Sequence, residues 1–137
     1  MLLTVLAWAY LELEELDRAE EAAARGLTIA EERHVRLYMP DVLRVQGMIL
    51  TRQERWEEAG NAFEEAVSLA RSMPYPYAEA RALFEHGLMR SQKGEQQPGR
   101  ERMEEALAIF QRLGARKDVE QAERALAALA RSADPAH

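Results

Sequence analysis

The chain has 137 residues, a formal net charge of −6 at pH 7 and no cysteine. This length suffices for one domain with a buried core, and 47% hydrophobic with 31% charged residues is ordinary for a helical protein. The acidic balance argues against sequence-independent binding of nucleic acid, which needs Lys and Arg to displace counterions. The lack of cysteine excludes disulfides, thiolate nucleophiles and cysteine-based metal sites, and it fits a reducing, cytoplasmic compartment.

The chain begins with an apolar stretch, MLLTVLAWAYL, whose composition resembles that of a targeting signal. A signal peptide needs basic residues first and a small-residue cleavage site, whereas this run leads directly into ELEELD. At about eleven apolar residues it is also too short to span a bilayer. It instead predicts a core helix at residues 2–13 that is apolar on nearly every side. Because such a helix needs cover, we expect a homodimer through the N-terminal helix pair, or a chain that continues upstream.

Apolar residues at helical spacing, with proline or glycine at the connections, predict six further helices. Their predicted bounds are 17–32, 40–52, 56–72, 77–92, 98–113 and 117–131. Asp17 is the predicted N-cap of the first of these. Pro40 and Pro98 are predicted to open their helices, because proline is tolerated in a first turn. Residues 132–137 are predicted to form a flexible tail.

Small and apolar residue types recur every forty positions along the chain. The recurring sets are Leu3, Leu43 and Leu83; Ala7, Gly47 and Gly87; Ala19, Ala59 and Gly99; Ala23, Phe63 and Met103; and Leu27, Val67 and Leu107. Agreement at this many positions indicates three consecutive helix pairs followed by a capping helix. The predicted repeats cover about residues 1–36, 37–74 and 75–114, and the capping helix covers 117–131.

The middle pair shows most clearly how two helices would touch. Gly47 and Ala59 have almost no side chain, so the two backbones are expected to approach closely there, with Phe63 filling the space beside them. This spacing resembles the tetratricopeptide repeat (TPR) family, in which a small residue is followed by an aromatic residue, an alanine and a large apolar residue. The matching residues are Gly47, Leu50, Ala59 and Phe63, while Arg90 and Gly99 depart from the pattern in the third repeat.

The forty-residue step is longer than the family's step of about thirty-four, and in this it is similar to the helical arrays of large bacterial signal-transduction and transcriptional regulators. The resemblance implies an all-α, TPR-like α-solenoid of three antiparallel helix pairs plus a C-terminal capping helix. In such a fold the first helix of each pair lines a concave groove.

The groove positions implied by the resemblance combine an apolar strip with Arg and Glu at its margins, which is typical of protein interfaces. They are Thr4, Val5, Trp8, Leu11, Glu12, Arg44, Val45, Met48, Thr51, Arg52, Arg81, Phe84, Glu85, Leu88 and Ser91. We therefore expect a protein–protein interaction module that binds a partner segment or a second copy of itself. For Trp8 itself, partial cover by neighbouring helices of the same fold is the favoured expectation, and Trp56, just inside a helix start, is expected to be structural.

Two other functions stay open for a helical array of this kind. Comparable regulators sense ligands such as oligosaccharides. Either Trp8 with Glu12, or Phe84 with Glu85 and Gln92, would supply an aromatic platform beside polar groups. A structural spacer within a larger regulator is the other alternative. Binding of chaperone C-terminal carboxylates is disfavoured, because that use of the family needs Lys and Asn in the groove and only Arg81 is comparable.

The sequence contains no pattern that points to catalysis or to metal binding. His34 and His86 have no obvious nucleophile partner and no metal-ligand spacing, and His86, next to Gly87, is predicted to be a satisfied core histidine. The paired glutamates occupy solvent faces and helix starts, where the helix dipole favours negative charge. No glycine-rich loop carries the lysine of a phosphate site. The sequence thus predicts a non-enzymatic protein without metal or cofactor.

Overall fold

The computed structural model describes residues 16–32 and 36–133. Within these ranges the chain is all-helical and contains no strand. The helices are α1 (Leu16–Glu32), α2 (Met39–Arg52), α3 (Trp56–Ser72), α4 (Pro76–Lys93), α5 (Gln96–Leu113) and α6 (Arg116–Ala133), with a 3₁₀ turn at Arg36–Tyr38 before α2. None of these described helices is both long enough and apolar enough to cross a bilayer. The helix predicted at residues 2–13 lies outside the described residues.

All six helices predicted in the described part are confirmed, with small shifts at their ends. The α3 helix has the predicted bounds, whereas α6 continues to Ala133, two residues into the predicted tail. The α5 helix begins at Gln96, so Pro98 lies within its first turn and does not open it. A proline is tolerated there because the first N–H groups of a helix have no acceptor within the helix. Since α1 already includes Leu16, Asp17 lies inside the helix and is not its N-cap.

Each described helix contacts the next one along the chain, and α2 also contacts α4. The forty-residue period recurs in the backbone hydrogen bonds of the two connections that follow α2 and α4. The Arg55 N–H donates to the Leu50 carbonyl at 3.0 Å, and the Glu95 N–H donates to the Arg90 carbonyl at 2.8 Å. The helix pairs α2–α3 and α4–α5 therefore turn back in the same way.

Glycines let the two helices of each pair come close together. A Cβ atom on Gly47 would lie 2.6 Å from Cε1 of Phe63, which confirms that the Phe63 ring fills the space beside Gly47. A Cβ atom on Gly87 would lie 2.7 Å from Cγ of Met103 and 2.8 Å from the carbonyl oxygen of Gly99. Real Cβ atoms do not make contacts this short, so a side chain at either position would force a neighbouring group to move.

The core of the described chain consists of three clusters of buried side chains. The largest joins α3 to α6 and includes Leu43 of α2, with Leu83 of α4 fully buried within it. A second cluster joins α1 to α2, and a third joins α2, α3 and α4 around Phe63. The largest and the third clusters both contain residues of α2 and of α4, so these two helices are joined through the core.

Candidate functional site

The helices α2, α3 and α4 line a solvent-open hollow of about 500 Å³, called here the α2–α4 hollow. It is lined by Met48, Thr51, Arg52, Glu54, Trp56, Phe63, Glu85, Leu88, Met89 and Gln92. Half of these residues belong to the groove predicted from the sequence, namely Met48, Thr51, Arg52, Glu85 and Leu88. The structure thus brings together a compact subset of the predicted groove.

Helical spacing explains why these side chains converge. On α2, Met48 and Arg52 are four residues apart and share a face, and Leu88 and Gln92 have the same relation on α4. Leu88 and Gln92 also follow Met48 and Arg52 by forty residues. Equivalent positions of two successive repeats therefore face one cavity. Trp56, at the start of α3, packs on the third core cluster as expected of a structural residue, and it lines the hollow as well.

Several predicted groove residues take other places in the structure. Val45 is 1% exposed and packs with alanines of α1, and Phe84 is 6% exposed within the largest core cluster. The expectation that these two side chains face an open groove is therefore not met: they belong to the core. Ser91 donates its hydroxyl to the Gly87 carbonyl at 3.1 Å, inside the α4–α5 pair. Thr4, Val5, Trp8, Leu11 and Glu12 lie outside the described residues.

Beside the hollow, two arginines share one carboxylate. Nε of Arg44 and Nη1 of Arg81 lie 3.7 Å and 3.8 Å from the same Asp41 oxygen. Arg44 is 7% exposed, its Nη1 lies 3.4 Å from Sδ of Met48, and its Nε has no hydrogen-bond partner among the described residues. Burial and, next, the charge of Arg81 lower the pKa of Arg44. The positive charge of this cluster is thus only partly matched by Asp41.

Glu85 lines the hollow next to this arginine pair. Its side chain is half-buried, and it makes no hydrogen bond or close ion pair with the described residues. Burial raises the pKa of the Glu85 carboxyl, while the longer-range attraction of Arg44 and Arg81 opposes that effect. The carboxylate of Glu85 therefore accepts no hydrogen bond from the described residues, although it lines a hollow that contains both polar and apolar side chains.

A further polar link joins α4 to α6. The Tyr77 hydroxyl donates to Oδ2 of Asp118 at 3.0 Å, and the Arg81 guanidinium lies 5.6 Å from the centre of the Tyr77 ring. Burial, then the hydrogen bond to Asp118, raises the pKa of Tyr77. Sequence reasoning missed this link, since its partners are forty-one residues apart and neither belongs to the repeating pattern.

His86 is a core residue, as predicted, but it is only half satisfied. Its ring is 1% exposed and stacks on Phe63 with ring centroids 5.7 Å apart. Nε of Arg90 donates to Nε2 at 3.3 Å, which assigns the ring proton to Nδ1. No acceptor for Nδ1 lies among the described residues. Burial, together with the charges of Arg102 and Arg90, lowers the pKa of His86 to about 4, so the ring is neutral at pH 7.

Across residues 16–32 and 36–133, no three acidic or histidine side chains are grouped so that they could hold a metal ion. His34 lies outside these ranges. A comparison of the chain with protein-family models finds no matching family, and a comparison with curated proteins finds no relative.

Proposed function

We propose that this chain is a protein–protein interaction module that binds a segment of another protein, or of a second copy of itself, in a concave groove. The observation that carries the proposal is the α2–α4 hollow, in which Met48 and Leu88 from successive repeats face one cavity. Both side chains are half-buried, so apolar surface remains available to a partner. Burial of that surface by an inserted side chain would drive binding.

The architecture that we propose is a TPR-like α-solenoid of three antiparallel helix pairs plus a capping helix. The contacts between consecutive helices support it, as do the matching hydrogen bonds after α2 and α4. The close approaches at Gly47 and Gly87, forty residues apart, support it further. In this arrangement α2 and α4 are the first helices of their pairs.

The chemistry of the hollow favours recognition of a protein segment. Met48 is half-buried, flexible and polarisable, so it can adapt to the shape of an inserted side chain. Trp56 and Arg52 are of the types enriched at interfaces. A non-enzymatic role fits the burial of His86, which at 1% exposure is not presented to a substrate. The cysteine-free composition supports a cytoplasmic location.

A second candidate function is the sensing of a small ligand such as an oligosaccharide. Trp56 lines the hollow together with Glu54 and Gln92, so an aromatic ring lies in the same cavity as polar side chains. This combination can stack against a sugar and bond its hydroxyl groups. We rank it second because Met48, Leu88 and the Phe63 ring make much of the wall apolar.

The direct test is selection of binders from a library of random peptides displayed on phage, with the wild-type chain as bait. Binding of the selected peptides is then measured by fluorescence anisotropy on the wild type and on Leu88→Lys, which places a charge in the hollow. Leu113→Lys is the matched control, because Leu113 is 45% exposed on α5 and does not line the hollow. We expect Leu88→Lys to weaken binding by at least about tenfold, and Leu113→Lys to leave it unchanged.

Selected peptides that bind Leu88→Lys as tightly as the wild type would contradict the proposal. A thermal-shift screen of oligosaccharides distinguishes the second function, since stabilisation by a sugar, without peptide binders, would favour ligand sensing. Light scattering of the wild type and Leu88→Lys over a range of concentrations tests whether a second copy occupies the hollow. A dimer that Leu88→Lys disrupts would identify this chain as its own partner.

A further inference from the structure

We draw no further inference here: the strongest candidate, the solvent-open hollow lined by α2, α3 and α4, carries nothing beyond the proposed function, because Arg44 and Arg81 already balance the charges of Asp41 and Glu85 and nothing in the structure shows what covers the half-buried Met48 and Leu88.

Discussion

The helix pairs α2–α3 and α4–α5 turn back with the same backbone hydrogen bond, but different groups lie opposite the glycine of the first helix in each pair. In the first pair, the space opposite Gly47 is filled by the side chain of Phe63. In the second pair, Gly87 lies against the backbone of Gly99 as well as the Met103 side chain. A ring can turn or shift, whereas a carbonyl group fixed in a helix cannot. Gly47 and Gly87, although forty residues apart and equivalent, therefore differ in how strictly they are required.

The hydroxyl groups near these glycines show how far the two pairs agree. Thr51 donates to the Gly47 carbonyl at 2.8 Å, and Ser91, forty residues later, donates to the Gly87 carbonyl at 3.1 Å. Each hydroxyl bonds a carbonyl one turn earlier in its own helix, where small bends are common. The two pairs thus share their local backbone geometry and differ in how their helices pack together.

The largest expected effect is that of adding a methyl group in the α4–α5 pair. We predict that Gly87→Ala lowers the free energy of unfolding by at least about 3 kcal/mol, because the new Cβ meets backbone atoms. Gly47→Ala should cost less, about 1–2 kcal/mol, because only the Phe63 ring must give way. Urea denaturation of both variants measures the difference.

The double variant Gly47→Ala with Phe63→Leu provides the control for this explanation. The smaller leucine side chain leaves room for the new methyl group, so the two changes should cost less together than the sum of their separate effects. If Gly87→Ala and Gly47→Ala lowered the free energy of unfolding equally, the proposed difference between contact with backbone atoms and contact with the Phe63 ring would be contradicted.

The next prediction concerns pH, because the α4–α5 pair contains a buried histidine where the α2–α3 pair has Gln46. The pKa of His86 is about 4 in the folded protein, against an ordinary value of about 6.5 in the unfolded chain. The unfolded chain therefore binds a proton at higher pH than the folded protein does. The contribution of neutral His86 to stability is intact above about pH 6.5 and is lost between about pH 6.5 and 4, by up to about 3 kcal/mol.

Urea unfolding as a function of pH, on wild type and His86→Gln, tests this assignment. Gln, the residue at the equivalent position 46, does not titrate, so His86→Gln should flatten the stability profile between pH 6.5 and 4 whatever its effect at pH 7. Profiles that stay parallel throughout this range would show that other groups cause the loss of stability in acid.

The smallest expected effect lies in the turns that close the two pairs. Glu54 has φ 58° after α2, and Gly94, its equivalent after α4, has φ 103°. A residue with a Cβ is strained in this left-handed region, so Glu54→Gly should raise stability by about 0.5–1 kcal/mol. Gly94→Ala should lower it by about 1 kcal/mol, although nothing lies within 4 Å of the new Cβ. Thermal unfolding that shifts in the same direction for both variants would rule out this explanation.

The helices and their closest contacts were predictable because their signals are local. The bounds of α3 and the packing of Phe63 on Gly47 follow from periodicity and from the placement of small residues. Of the positions assigned to a groove from the sequence, Val45 and Phe84 are buried in the core. Adjacent helix positions differ by about 100°, so sequence spacing alone does not decide which of two neighbouring faces meets the next pair.

The polar clusters beside the hollow could not be predicted from a repeating pattern. Asp41 and Arg81 are forty residues apart and meet only because α2 and α4 are in contact. The burial that shifts the pKa of Glu85 likewise depends on how successive pairs pack. The sequence supplied the residue types of the site, and tertiary structure determined which of them share a cavity.

Apart from the contact of α2 with α4, the substantial contacts between described helices join elements that are neighbours in the chain. Short loops therefore suffice to form almost every interface, which keeps the entropy of loop closure low and favours rapid folding. The same connectivity sets the mechanical response of the molecule. When its ends are pulled apart, the helices can peel away one after another from α6, so the chain lengthens in small steps under modest tension.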